Sequence, residues 1–71
     1  MTGLVQDVLR MGNQIAAQFR HLPREEAVEA VAGHLRLFWE SRLQDDLFAL
    51  VDDGDPDLDP VLVEAAARLR S

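Results

Sequence analysis

Apolar residues recur along this chain every three or four positions, and no β-branched or aromatic run alternates long enough to make a strand. The pattern predicts an all-α fold, a small single domain over residues 1–71 built of four short amphipathic helices. The first, over residues 3–21, carries Leu4, Val8, Met11, Ile15 and Phe19 on one stripe, widened sideways by Val5, Leu9, Gly12 and Ala16. Its apolar arc of roughly 160° exceeds the ~100° that faces a small core, which predicts a second contact surface. The second helix covers 24–39. Pro23 suits its first position, where a missing N–H costs nothing, and Glu25 and Glu26 favour the positive end of the helix dipole. Its buried face is Ala27, Val31, Leu35 and Phe38, flanked by Val28 and His34, while Leu37 points away from the core.

Ser41 and Gln44 match a capping box and start the third helix, with Asp45 and Asp46 in its first turn. Its stripe is Leu43, Leu47, Leu50 and Val51, with Phe48 on one flank, and Gly54 ends it in the left-handed conformation. Asp52 to Leu58 form an acidic loop. Asp59 then caps the fourth helix, Pro60 takes its first position, and Leu62, Ala65, Ala66 and Leu69 form its stripe.

The chain has 71 residues and no cysteine, which excludes disulfides, thiolate metal sites and a cysteine-held iron–sulfur cluster. Size scaling gives a folded surface of roughly 4,500 Å² against ~11,600 Å² unfolded. Apolar burial and chain ordering then nearly cancel, each on the order of 100 kcal/mol, so the isolated domain is expected to be marginal and to lean on a partner. No apolar run approaches the ~20 residues of a membrane span, and the first residues lack the basic region of a secretory signal. A soluble, cytoplasmic protein is expected. The net charge of −6 is uneven. Residues 1–44 balance five arginines with five acids, whereas residues 45–71 set eight acids against Arg68 and Arg70. With no lysine and an acidic third, nucleic acid and anionic membrane surfaces are not expected partners.

Asp53, Asp55, Asp57, Asp59 and Glu64 fall on ligand positions of an EF-hand calcium loop, but Leu58 stands where that loop needs glycine. A solvated loop is expected instead. His21 and His34 have no nucleophile at a recognisable spacing, and Glu25 with Glu26 form a helix N-terminal charge pair rather than an acid/base couple. The segment from Arg36 to Arg42 is more informative, because it joins the only tryptophan to two arginines, residue types enriched at binding hot spots. Trp39 either plugs the corner between the second and third helices or docks a partner there, and one residue can do both. Arg10, Asn13 and Gln14 share the polar side of the first helix, as solvated groups or as contacts.

Two segments carry a resemblance: Arg10-Met11-Gly12-Asn13-Gln14-Ile15-Ala16-Ala17-Gln18-Phe19 and His34-Leu35-Arg36-Leu37-Phe38-Trp39-Glu40-Ser41-Arg42-Leu43. Joined through Pro23-Arg24-Glu25-Glu26-Ala27, they resemble the delta subunit of NAD-dependent formate dehydrogenase, closely over residues 10–50 and loosely elsewhere. Gly12, Ser41 and Leu43 stand where that family has alanine, proline and methionine; glycine weakens the helix but permits closer backbone approach.

The resemblance implies a non-catalytic accessory subunit of a cytoplasmic complex, supporting assembly or stability of the large catalytic subunit. It implies no cofactor on this chain. A molybdenum or tungsten bis-pterin cofactor, iron–sulfur clusters and FMN would sit on other subunits. Arg10, Asn13, Gln14, Phe19, His34, Arg36, Leu37, Trp39 and Arg42 are the expected contacts with the large subunit, and Leu37, Phe48, Val63 and the flank of the first helix the expected surplus apolar surface. The competing classes are a free-standing homodimeric helical adaptor or regulator, then an ion-binding module, and last an enzyme in its own right.

Overall fold

A computed structural model of the chain describes residues 3–71, with side chains from Asp7 onward, so the expectations at Leu4 and Val5 lie outside the described side chains. Four helices follow in order: α1 (Gly3–Gln18), α2 (Arg24–Phe38), α3 (Ser41–Asp52) and α4 (Pro60–Arg70). The described residues contain no strand. α2 packs along α4 and α1 along α3, around one core to which all four helices contribute. Val8, Val28, Val31, Leu35, Leu47 and Leu62 are fully buried at its centre. The accessible surface of 4614 Å² and radius of gyration of 11.0 Å agree with the size expected of a compact chain of this length.

α1 stops three residues earlier than the apolar spacing predicts. Phe19, Arg20 and Leu22 donate to carbonyls three residues back, at 3.2, 3.2 and 3.0 Å. Such bonds tighten a helix end, and Pro23 disfavours helical backbone at Leu22. Pro23 itself lies one position outside α2, as its N-cap, in an extended conformation with its carbonyl accepting from the Ala27 N–H at 2.9 Å.

The buried stripe of α1 is narrower than predicted, and that of α2 is shifted to include Val28 and Ala32. On α1, Val8, Gly12, Ile15 and Ala16 are buried, while Met11 at the edge is 37% exposed. Gly12 faces α4 so closely that an added Cβ would sit 2.7 Å from Leu62 Cδ2, so the glycine here allows a close approach. On α2 the buried set is Ala27, Val28, Val31, Ala32 and Leu35, and Phe38, expected inside, is 71% exposed. The ion pairs joining α2 to α4 all lie at residues 24–29, so Phe38 lies well past that seam, although Leu35 in the same turn is fully buried. Phe48 and Val63, expected as free apolar surface, are partly buried against the core.

The α2–α3 corner also closes differently from the expected capping box. Glu40 is the N-cap of α3 with no side-chain cap bond, Ser41 is already helical, and the first turn of α3 holds no acid because Asp45 and Asp46 fall later. Gln44 turns the other way. Its Nε2 donates at 3.2 Å to the Leu35 carbonyl, which also accepts from the Trp39 N–H, and at 2.9 Å to the Trp39 carbonyl just past the end of α2. The two remaining ends form as predicted. Gly54 takes φ +70°, with Gly54 N–H to Val51 O at 3.0 Å and Asp55 N–H to Leu50 O at 3.3 Å, the pair of bonds of a Schellman motif. Asp59 Oδ1 accepts from the Val61 N–H at 2.9 Å, with Pro60 as the first residue of α4.

Candidate functional site

The nine expected contact residues divide into two regions, with Phe19 belonging to neither because its ring is partly buried against the core. The first region is the polar side of α1. Arg10, Asn13 and Gln14 line an open groove of about 620 Å³, together with Asp7, Leu9, Ala17 and Asp57. Two of the three polar groups are already engaged: Arg10 pairs with Asp7 at 2.8 Å, and Asn13 clamps the acidic loop. Its Nδ2 donates to Asp57 O at 2.8 Å, and its Oδ1 accepts from the Asp59 N–H at 2.9 Å.

That clamp changes what the acidic loop is. Asp55 Oδ1 accepts from the Asp57 N–H at 2.9 Å, Asp59 Oδ2 accepts from Arg20 at 3.1 Å, and Leu58 is buried in the core. The loop expected to be merely solvated is therefore pinned at both of its faces. Glu64, the last residue of the calcium-like spacing, accepts from Arg24 at 2.8 Å. The described residues hold no group of three or more His, Cys, Asp or Glu side chains able to hold a metal ion.

The second region is the corner where α2 meets α3. It gathers His34, Arg36, Leu37, Trp39 and Arg42 within nine consecutive residues and adds Phe38, which was expected in the core. Leu37 is 78% exposed, as its position off the stripe predicts, and the adjacent Phe38 is 71% exposed. Covering such a side chain gains about 1.5–3 kcal/mol, so two consecutive exposed ones are a large apolar surface left open to solvent. His34 lies along Phe38 with ring centroids 4.9 Å apart. Trp39 is half-buried, packed on the core while ending α2 in extended conformation, with its N–H bonded to Leu35 O at 3.0 Å.

The arginines separate the corner from the rest of the molecule. Arg68 joins Glu25, Glu29 and Glu64, Arg24 joins Glu64, Arg20 joins Asp59, Arg10 joins Asp7, and Arg70 joins Asp52. Arg70 also lies over the Phe48 ring, 4.7 Å from its centre. Its hydrogen bonds to Asp52 hold that carboxyl below its ordinary value, and the bond from Arg68 to Glu25, followed by that to Glu29, raises the Arg68 guanidinium further. All thirteen acids lie between residues 7 and 64, within the described part of the chain. Among the described residues, Arg36 and Arg42 alone of the seven arginines form no ion pair.

No described helix is long and apolar enough to cross a membrane. Comparison with curated proteins and with solved structures gives no match. The profile of one family, described as the NADH-dependent formate dehydrogenase delta subunit FdsD, matches residues 7–66. That span runs through α1, the Asn13 clamp, the α2–α3 corner and the first half of α4, so this chain belongs to the delta-subunit family of NADH-dependent formate dehydrogenase.

Proposed function

We propose that this chain is a non-catalytic accessory subunit that binds the large, cofactor-bearing subunit of a cytoplasmic formate dehydrogenase complex and supports its stability or assembly. The observation that carries the proposal is the exposure of consecutive Leu37 and Phe38 at a helix end, in a chain matched to the delta-subunit family over residues 7–66. A small domain gains from covering such an anchor, because its own core leaves little margin.

The chemistry of the complex belongs to its other subunits in this reading. A molybdenum or tungsten bis-pterin cofactor, iron–sulfur clusters and FMN would reside there. This chain's residues do not fit an iron–sulfur cluster, since it has no cysteine to ligate iron. Its contribution is to occupy a surface of the large subunit and hold it in the assembled conformation, a linkage effect in which binding stabilises the bound form.

The test is to tag the chain in its native host, purify it gently, and quantify co-purifying proteins, molybdenum or tungsten, iron and flavin per tag. Recovery with a loaded complex is the expected result for a permanent subunit, and recovery with a metal-free large subunit that for an assembly factor. Recovery only as a monomer or homodimer would replace this proposal by the free-standing adaptor.

A further inference from the structure

Resting on the accessory-subunit reading, we infer that the α2–α3 corner is the docking surface and that it takes an acidic, apolar-centred patch of the large subunit. Leu37 and Phe38 supply the apolar anchor, and Arg36 and Arg42 flank it in sequence. Five of the seven arginines are neutralised within the chain, in a protein whose acids outnumber its basic residues thirteen to seven. The two left without a carboxylate lie within five residues, along the sequence, of the most exposed large apolar side chains among the described residues. A guanidinium binds carboxylate through two parallel hydrogen bonds, so the complementary surface is an apolar pocket with carboxylates on its rim.

The corner is held in shape before a partner arrives. Gln44 ties the Leu35 and Trp39 carbonyls together, and Trp39 packs on the core, which fixes where α2 ends and where Arg42 begins its side chain. A preformed surface of this kind loses little conformational freedom on docking. A second copy is a poor occupant. In a two-fold dimer this patch meets itself, so the Arg36 and Arg42 side chains of both copies are brought into one interface with only Glu40 of each copy, within residues 34–42, to oppose them, and a head-to-tail contact leaves another corner open.

The experiment co-expresses the full chain with the other subunits of the complex, captures the large subunit by a tag, and measures how much of this chain stays bound from about 50 mM to about 500 mM salt. Retention of the wild-type chain is expected to fall several-fold across that range. Arg36→Glu with Arg42→Glu is expected to lower retention about tenfold or more at low salt, while Arg36→Lys with Arg42→Lys is expected to lose less, because it keeps the charge and gives up only the paired hydrogen bonds. Wild-type retention by the charge-reversed chain would overturn the inference and leave the accessory-subunit reading standing. Failure of the wild-type chain itself to be captured at any salt would overturn both. Circular dichroism checks that the variant is folded. If it is not, Leu37→Ser with Phe38→Ser decides, a loss of capture supporting the corner and full capture refuting it. A wild-type chain that self-associates in solution, and is dissociated by the charge reversal, would assign the corner to a second copy and sink the inference.

Discussion

Both ends of α2 carry an arginine and apolar residues, and they are used in opposite ways. At the first turns, Arg24, Glu25 and Glu29 are matched across the seam by Glu64 and Arg68 of α4, above the buried side chains of Ala27, Val28 and Val31. At the last turn, Arg36 has no carboxylate partner among the described residues, and Leu37 and Phe38 face outward. The N-terminal end satisfies itself and contributes to folding. The C-terminal end leaves both charge and apolar surface unmatched, as an interface would require. With the corner as the proposed docking surface, stability and recognition are assigned to opposite ends of a single helix.

That division can be broken most sharply in the seam. Leu62→Ala removes a fully buried side chain of α4 and is expected to cost about 2–5 kcal/mol, enough to unfold much of a marginal domain, as chemical denaturation of the isolated chain would show. Asn13→Ala deletes both clamp bonds to the loop before α4 and is expected to cost about 1–3 kcal/mol in the same assay, with increased proteolysis between Asp53 and Asp59. Arg68→Ala should lower the unfolding midpoint less than Asn13→Ala does, and measurably more than Arg36→Ala, because only the former breaks an ion-pair network.

A pH series sharpens the same contrast. The folded Asp52 titrates below its ordinary value of 3.8 because Arg70 hydrogen-bonds its charged form. The stabilisation is therefore complete above that ordinary value and is lost as the pH falls through the lowered folded value. Asp52→Asn should flatten the acid limb of the stability curve there and leave neutral pH behaviour nearly intact. The smallest effect belongs to the corner: Leu37→Ser with Phe38→Ser should alter the isolated chain's stability by no more than about 0.5 kcal/mol per substitution. A large destabilisation would show that these side chains serve folding, and the contrast between the ends of α2 would collapse.

The corner was partly legible in the sequence. Leu37 lies off the stripe of α2 and is exposed as its position predicts, and the density of arginine and tryptophan around it marks the segment. Phe38 was misplaced because helical periodicity reports the direction of a side chain and not whether anything lies opposite it at that height. Asn13 looked like an ordinary polar residue on an exposed face, and nothing local to α1 announces that its partners are Asp57 and Asp59, more than forty residues away. Leu58 was the available clue: an apolar residue amid aspartates, buried in the core, draws the loop against α1 where Asn13 can reach it.

By itself the sequence determined the four helices, the Schellman end of α3 and the Asp59 cap of α4, because each depends on contacts within a few residues of the chain, and its apolar spacing marked most of the core residues. The resemblance carried by its Asn-Gln-Ile and Phe-Trp-Glu stretches led to the family that the comparison then assigned. Only the tertiary structure decided that Gln44 closes α2 rather than opening α3, that Asn13 fastens the acidic loop, and that five arginines are paired while two are not. Hydrogen bonds and ion pairs form between atoms about 3 Å apart, and which residues meet at that distance is set by how the helices pack rather than by any one helix's own pattern.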